Sequence, residues 1–244
     1  MWTSDGMMQL QRQQTSARKK FSRFKPVKPN IVRTAAVKPS PLLENLEKIK
    51  MLWHGIEFYG QRPSSGYSYS EQYARYVEEF RKQSIDLPRS DVEKLLFFLP
   101  ELPLPNTFTD KIGVFLSALI EASSDREFSL HVGFLNRKIS FIGYRNTKNL
   151  YVEGDVGNYF AFRMKSGEIV LDGNSDACPG YGMEGGKLVI NGDLDGPWIR
   201  NIKGGQIHFN GEGDQLDYFS KRYPVFVDGG QAFWHGKLIT RVRS

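Results

Sequence analysis

The sequence of 244 residues contains a single cysteine, Cys178, and only four histidines. One cysteine cannot form an internal disulfide or a cysteine metal cluster, which is typical of a protein in a reducing compartment. The sequence also has no run of about 18 apolar residues, and residues 1–21 lack the apolar centre of a signal peptide. We therefore expect a cytoplasmic protein without a membrane-spanning segment.

Acidic residues are almost missing from the N-terminal arm. Residues 1–40 contain nine basic residues and one acidic residue, whereas the rest of the chain contains 24 basic and 26 acidic ones. The arm is rich in Gln, Ser, Lys and Pro, and its apolar surface is too small to offset the entropy of ordering it, so we expect disorder. It either binds a polyanion or is a solvated extension. The candidate polyanion-binding residues are Arg18, Lys19, Lys20, Arg23 and Lys25.

Residues 41–125 have the apolar spacing of helices. Four segments repeat apolar residues at intervals of three and four, and Ser40 and Ser90 precede two of them as candidate N-caps. Glu93, three residues after Ser90, would complete a capping box. The proline-rich stretch at 99–108 ends the third segment, because proline lacks the helical N–H donor. We predict a domain of four short helices.

Glycine returns at a fixed period in residues 126–244. From Gly154 the chain divides into three rows of equal length, which begin at Gly154, Gly173 and Gly192. Seven turn glycines form two evenly spaced columns through these rows: Gly154, Gly173, Gly192, Gly211, Gly167, Gly186 and Gly205. A period of about 20 residues is typical of a solenoid whose repeats bury their apolar faces by stacking on one another.

The repeating unit is predicted to be a β-coil, because the rows lack a glycine-free stretch long enough for a helix. Where the coil turns at Gly173, Gly192 and Gly211, we expect positive φ. The apolar residues of each row alternate, as in strands with one buried face.

Two inward columns are predicted, one of Ile169, Leu188 and Ile207 and one of Leu171, Ile190 and Phe209. The residues between them, Val170, Val189 and His208, are predicted to point outward. Further strands are expected at 127–134, 137–144 and 148–154, with a closing strand pair at 231–242.

The rows resemble a known repeat family. "GDVGNYFAFRMKSGEIVLDGN" and "GYGMEGGKLVINGD" are similar to the glycine-rich (GXGXG) repeats of the β-helical domain at the C-terminus of the glutamate synthase large subunit, of one formylmethanofuran dehydrogenase subunit and of stand-alone proteins. The similarity covers residues 143–230. Row two keeps the motif as Gly180-Tyr181-Gly182-Met183, whereas row one has Ala161-Phe162-Arg163-Met164 and row three has Ile199-Arg200-Asn201-Ile202.

The resemblance implies an α+β protein in which short helices precede a right-handed, single-stranded parallel β-helix over residues 126–244. In the enzymes that share it, this domain is a structural element that supports neighbouring catalytic domains or subunits. No catalytic residue belongs to the repeat, so the resemblance implies no catalytic residue and no cofactor in this chain.

Residues able to carry chemistry are scattered. His54, His131, His208 and His235 have no metal-ligand spacing, and Cys178 has no nearby histidine to act as a base. Two polar columns recur with the rows, one of Asp155, Asn174 and Asp193 and one of Asp176, Asp195 and Asp214. Stacked carboxylates can bind Ca²⁺, but the calcium-binding nonapeptide pattern is absent and Asx turns explain the columns more simply. We predict no metal site and no catalytic constellation.

Aromatic side chains form two further columns. Phe160, Pro179 and Trp198 share one row position, and Phe162, Tyr181 and Arg200 share another. These columns form either an exposed interface or a core covered by the N-terminal helices; the possible interface residues are Trp198, Tyr181, Phe162 and Arg200. We predict a non-catalytic scaffold that binds another protein or a second copy of itself. The alternatives are a nucleic-acid or acidic-surface binder that uses the basic arm, and a lyase or hydrolase that acts along the solenoid groove.

Overall fold

A computed structural model describes residues 40–56, 67–98, 108–195, 200–212, 225–227 and 229–242. In these residues the chain forms four helices followed by a β-solenoid of about four turns, as the sequence predicted. The helices are α1 (Pro41–Gly55), α2 (Tyr67–Lys82), α3 (Arg89–Phe98) and α4 (Phe108–Ala122).

Two of the helix starts can be compared with the predicted caps. The hydroxyl of Ser40 accepts a hydrogen bond from the Leu43 N–H at 3.4 Å, which confirms this residue as the N-cap of α1. The capping box at Ser90 is wrong, because α3 already begins at Arg89. The N–H of Arg89 instead donates to the carboxylate of Asp125 at 2.7 Å. A residue distant in sequence therefore replaces the expected local cap.

In the part of the chain that the structure describes, ten strands follow: β1 (Glu127–His131), β2 (Asn149–Glu153), β3 (Glu168–Asp172), β4 (Lys187–Ile190), β5 (Arg200–Ile202), β6 (Gln206–Phe209), β7 (Val225–Val227), β8 (Gln231–Trp234), β9 (Lys237–Leu238) and β10 (Thr240–Val242). One sheet has the order β1-β2-β3-β4-β6-β8-β9 and the other has the order β10-β7-β5. All described pairs are parallel except β8 with β9, which confirms the closing strand pair around His235 and Gly236. This hairpin ends at Leu238, since β10 pairs with β7 in the other sheet. The strand expected at 137–144 is wrong, since that segment forms turns and bends.

The inward and outward columns of the seven-stranded sheet are as predicted. Ile169, Leu188 and Ile207 pair in register and are fully buried. The second inward column, Leu171, Ile190 and Phe209, is equally buried. Val170, Val189 and His208 lie between them on the opposite face and are partly exposed. The constant row length therefore brings equivalent side chains directly above one another.

Gly173, Gly192 and Gly211 do not take the positive φ expected of them. A Cβ at Gly173 would instead collide with the carbonyl oxygen of Gly154, and a Cβ at Gly192 would collide with that of Gly173. Gly211 is placed in the same way against Gly192. These glycines are required because the backbones of successive coils approach closely, not because of their own torsion angles.

The second predicted column does take positive φ, with 77° at Gly167, 82° at Gly186 and 80° at Gly205. Positive φ also recurs in a part of each coil here named the outer turn (residues 141–145, 159–163 and 178–182). Every second residue there is left-handed: Phe141, Gly143, Arg145, Tyr159, Ala161, Arg163, Cys178, Gly180 and Gly182 have φ between 52° and 76°. Row one therefore adopts the backbone of the glycine motif although its glycines are replaced. Stacking on neighbouring coils holds it there, for example through the hydrogen bond from Arg163 N–H to Tyr181 C=O at 2.9 Å.

The helices cover the first outer turn. The hydroxyl of Ser117 on α4 donates to the carbonyl of Phe141 at 3.2 Å and accepts from the N–H of Tyr144 at 3.0 Å. A Cβ at Gly113 would collide with the Ser140 carbonyl, so α4 lies directly against the coil. Helix α3 packs against β1, the first strand of the sheet. Helices and solenoid share one hydrophobic core.

Candidate functional site

The outward face of the seven-stranded sheet carries a continuous column of mostly apolar side chains. The strand register places in one line Tyr151, Val170, Val189, His208 and Phe233, which we name the outer strip. All five residues are partly exposed. The rings of His208 and Phe233 stack with centroids 4.6 Å apart and an interplanar angle of 7°. The sequence prediction named the three central members. Tyr151 lies one row length before Val170, so the same period could have found it, whereas Phe233 joins the strip only through strand pairing.

Polar side chains border the outer strip on both sides. On one side, the Lys187 ammonium lies 2.9 Å from the Glu168 carboxylate, and the Gln206 amide donates to Gln231 at 3.1 Å. On the other side, the His131 ring lies 2.8 Å from Glu153. Side chains in these two border columns therefore bond mainly along their own columns. The result is an apolar line within a polar margin.

Electrostatics favour a neutral His208. Burial, followed by the positive charge of Lys187, lowers the pKa of His208, and the effect of Glu168 opposes this only in part. Because the pKa lies below its usual value of about 6.5, the ring is uncharged at neutral pH. The outer strip thus carries no charge at neutral pH.

The predicted interface residue Phe162 is a core residue. Its ring lies between those of Tyr144 and Tyr181, each with centroids 5.5 Å away, and it is only 5% exposed. We name the stacked rings of Tyr144, Phe162 and Tyr181 the aromatic ladder. Helix α2 covers this ladder, since its Tyr73 ring lies 5.2 Å from the ring of Tyr144. Phe160, in the companion column, is also fully buried. The covered-core alternative therefore holds for these residues.

The other predicted interface residues have different outcomes. Tyr181 is only partly buried and packs against the core at its margin. Trp198 and the side chain of Arg200 lie outside the described residues. The basic arm, with Arg18, Lys19, Lys20, Arg23 and Lys25, also lies outside them, so its polyanion binding stays a prediction.

The polar columns are held by hydrogen bonds between coils. The Asp155 carboxylate accepts from the N–H of Asn174 at 2.9 Å, and the Asn174 side chain accepts from the N–H of Asp193 at 2.7 Å. In the other column, the Lys138 ammonium lies 2.6 Å from Asp176 and balances its charge. Asp214 lies outside the described residues. Within the part of the chain that is described, no group of three or more His, Cys, Asp or Glu side chains could hold a metal ion.

An open cleft of about 690 Å³ lies where α2 and the end of α4 meet the solenoid. Its basic lining residues are Arg81 and Lys82 on α2 and Arg145 and Lys165 on the solenoid. No local sequence pattern reveals this group, because its helical and solenoid members are far apart in the chain. None of the described helices is long and apolar enough to cross a membrane.

Comparison with known proteins finds no match to this chain among family models, curated proteins or solved structures.

Proposed function

We propose that this protein is a scaffold that binds another protein through the outer strip. The observation that carries the proposal is the line from Tyr151 to Phe233, which folding leaves partly exposed in the middle of a parallel sheet. An apolar centre with a polar margin is the usual composition of a protein interface. Contiguous apolar surface on a folded chain is also typical of interaction sites.

The dimensions of the outer strip suit the centre of such an interface. Strands in a sheet lie about 4.8 Å apart, so five consecutive strand positions span about 19 Å. A stable interface buries about 800 Å² on each partner, and a strip of this length supplies its central part rather than the whole of it. The rest of the contact would come from the polar margin, with Lys187, Glu168 and Gln206.

We further propose that the solenoid is a right-handed, single-stranded β-helix of the glycine-rich GXGXG family. The alternating left-handed residues at Gly180 and Gly182 and the constant register between coils support this assignment. In the enzymes to which the sequence is similar, that domain supports neighbouring catalytic parts. By this analogy the chain would support a partner protein, in the cytoplasm as the single cysteine indicates.

The test begins with the partner. The chain would be purified from its native cells, and a protein that copurifies in constant stoichiometry would be identified and produced in pure form. Its affinity would then be measured by calorimetry for the native chain and for Val170→Glu/Val189→Glu. We expect the double variant to bind at least about tenfold more weakly, because two buried charges would lie in the interface centre.

Leu43→Glu/Met51→Glu is the matched control, since it adds two charges at exposed positions of α1, outside the outer strip and its polar margin. Its affinity should change by less than threefold, and the thermal midpoint of every variant should match that of the native chain. Light scattering on the purified chain tests self-association. If the native chain is a dimer and Val170→Glu/Val189→Glu is a monomer, the partner is a second copy of the chain. Equal partner affinity of native chain and strip variant would refute the proposal.

A further inference from the structure

The cleft between α2 and the solenoid is a second feature, independent of the outer strip. One wall is the face of α2 with Tyr73, Ala74 and Val77, and the opposite wall is formed by Arg145, Thr147 and Lys165. Its volume of about 690 Å³ is within the range of sites that hold small molecules.

Positive charge in the cleft exceeds negative charge. Four cationic side chains line it, Arg81, Lys82, Arg145 and Lys165, against two carboxylates, Glu78 and Glu121. Glu121 lies 3.8 Å from Arg81, and Lys82 lies 3.5 Å from Glu79, just outside the lining. Among the described residues, no carboxylate forms an ion pair with the Arg145 guanidinium or the Lys165 ammonium. These two cations are available to an anionic ligand.

Both cations are carried by rigid backbone. The N–H of Arg145 donates to the Phe162 carbonyl at 2.8 Å, and the N–H of Lys165 donates to the Asn146 carbonyl at 2.9 Å. Arg145 is also one of the left-handed residues of the outer turn, with φ of 52°. Neighbouring coils therefore fix where the two side chains begin, which lowers the entropy lost when they bind a ligand.

The remaining lining groups leave Arg145 free to face the cleft. The Thr147 hydroxyl donates to the Glu121 carboxylate at 2.7 Å, which holds this carboxylate beside Arg81 rather than beside Arg145. The Arg145 guanidinium lies over the Tyr73 ring, 6.0 Å from its centroid. Burial raises the pKa of the Tyr73 phenol, so this group is a neutral hydroxyl at neutral pH. Ala74 and Val77 add an apolar wall.

We propose that this cleft binds the phosphate group of a small ligand, with Arg145 and Lys165 as its main contacts. A guanidinium offers a planar pair of N–H donors that match two phosphate oxygens, and an ammonium adds a point charge. The phosphate can belong to a free inorganic anion or to an organic phosphate ester whose body lies on Ala74 and Val77.

The experiment uses the full chain at low ionic strength, where charge contacts are least screened. Pyrophosphate and phenyl phosphate would each be titrated by calorimetry. We expect saturable binding that Arg145→Gln/Lys165→Gln weakens at least tenfold. Phenyl phosphate binding tighter than pyrophosphate would identify an organic ester as the ligand class, and the reverse order would identify an inorganic phosphate.

Two controls separate the cleft from other basic surface. Lys48→Gln/Lys203→Gln removes the same number of charges outside the cleft and should change the affinity less than twofold. Lys19→Gln/Lys20→Gln does the same in the N-terminal arm. If the cleft double variant is unstable, Lys165→Glu alone replaces it, because this side chain is exposed.

Two results would overturn the proposal. One is the absence of saturable binding of both probes to the native chain. The other is binding that survives in the cleft variants, because the phosphate would then be held outside the cleft. Binding that is lost in the arm variant would assign the phosphate to the arm and overturn the proposal in the same way. Neither result bears on the outer strip, so the scaffold proposal is tested separately.

Discussion

The rings of Phe162 and Tyr181, which occupy the same position in successive rows, lie nearly parallel with centroids 5.5 Å apart and an angle of 2° between their planes. Tyr144 stacks on the other face of Phe162 at the same distance. Phe162 therefore has aromatic neighbours on both faces, whereas Tyr181 ends the described ladder. The ladder joins three successive coils and ties them to helix α2 through Tyr73.

Replacing Phe162 by alanine should lower the free energy of unfolding by about 3 kcal/mol, because a fully packed ring is lost from between two others. Tyr181→Ala should cost less, since that side chain is only partly buried. Urea denaturation measures both changes. Phe97→Ala is the control: Phe97 is 62% exposed, and its loss should cost less than about 1 kcal/mol. Equal losses for Phe162 and Phe97 would contradict the ladder as a core element.

Gly173→Ala should destabilise the protein by about 2 kcal/mol or more, because the new methyl group would collide with the carbonyl of Gly154 in the preceding coil. The matched substitution is Gly55→Ala at the end of α1, where a Cβ meets no atom within 4 Å. That change should be neutral or stabilising, since alanine is the better helix former. Thermal unfolding of the two variants makes the comparison. A tolerated alanine at Gly173 would show that the coils can separate at little cost.

Ala161→Gly should be close to neutral or stabilising, unlike most alanine-to-glycine changes in a core. Ala161 has φ of 56°, a conformation that costs a residue with a Cβ about 1–2 kcal/mol and glycine nothing. Relief of this strain offsets the lost burial of one methyl group, which is worth about 0.8 kcal/mol. Ala118→Gly in the middle of α4 is the control and should cost about 1 kcal/mol or more. Chemical denaturation should therefore give changes of different size at the two positions, and similar losses would be evidence against strain at Ala161.

The stability of the protein should depend on the protonation of His208. Because its pKa is lowered in the folded chain, the folded state binds its proton less readily than the unfolded state. The stabilising contribution of the neutral ring is thus complete above the unfolded pKa of about 6.5 and is lost as the pH falls through the lower folded value. His208→Phe keeps a flat ring next to Phe233 but cannot titrate. Between pH 7.5 and pH 5, the native chain should lose more unfolding free energy than His208→Phe does. An equal loss in the two proteins would rule out the coupling.

The sequence was sufficient for the repeating part of the fold. A period of two within each strand and a constant period between coils assign Ile169 and Leu188 to the interior and Val170 and Val189 to the outside, because parallel in-register stacking repeats every local choice. The same argument located the centre of the outer strip. Tyr151 lies one row length before Val170, so the period also reaches that end of the strip, whereas Phe233 follows a longer coil and its alignment depended on strand pairing.

Local patterns failed wherever a distant residue sets the conformation. Ser90 fits the sequence pattern of an N-cap, but α3 already begins at Arg89, whose N–H donates to the carboxylate of Asp125. Ala161 had no sign of a left-handed residue, and neighbouring coils impose that backbone on it. Gly173 was expected at positive φ, yet the close approach of Gly154 is what excludes a side chain there.

The sequence by itself thus determined the class of fold, the four helices within the described residues and which side chains of each coil face inward, since these depend on periodicity. Only the tertiary structure decided which side chains α2 covers and which cations share the cleft. Phe162 and Tyr181 occupy the same row position, but helix packing buries the first and leaves the second partly exposed. Arg81 and Arg145 line the same cleft because α2 packs on the first coil. The proximity of residues so far apart in sequence is set by the packing of whole elements rather than by any local pattern.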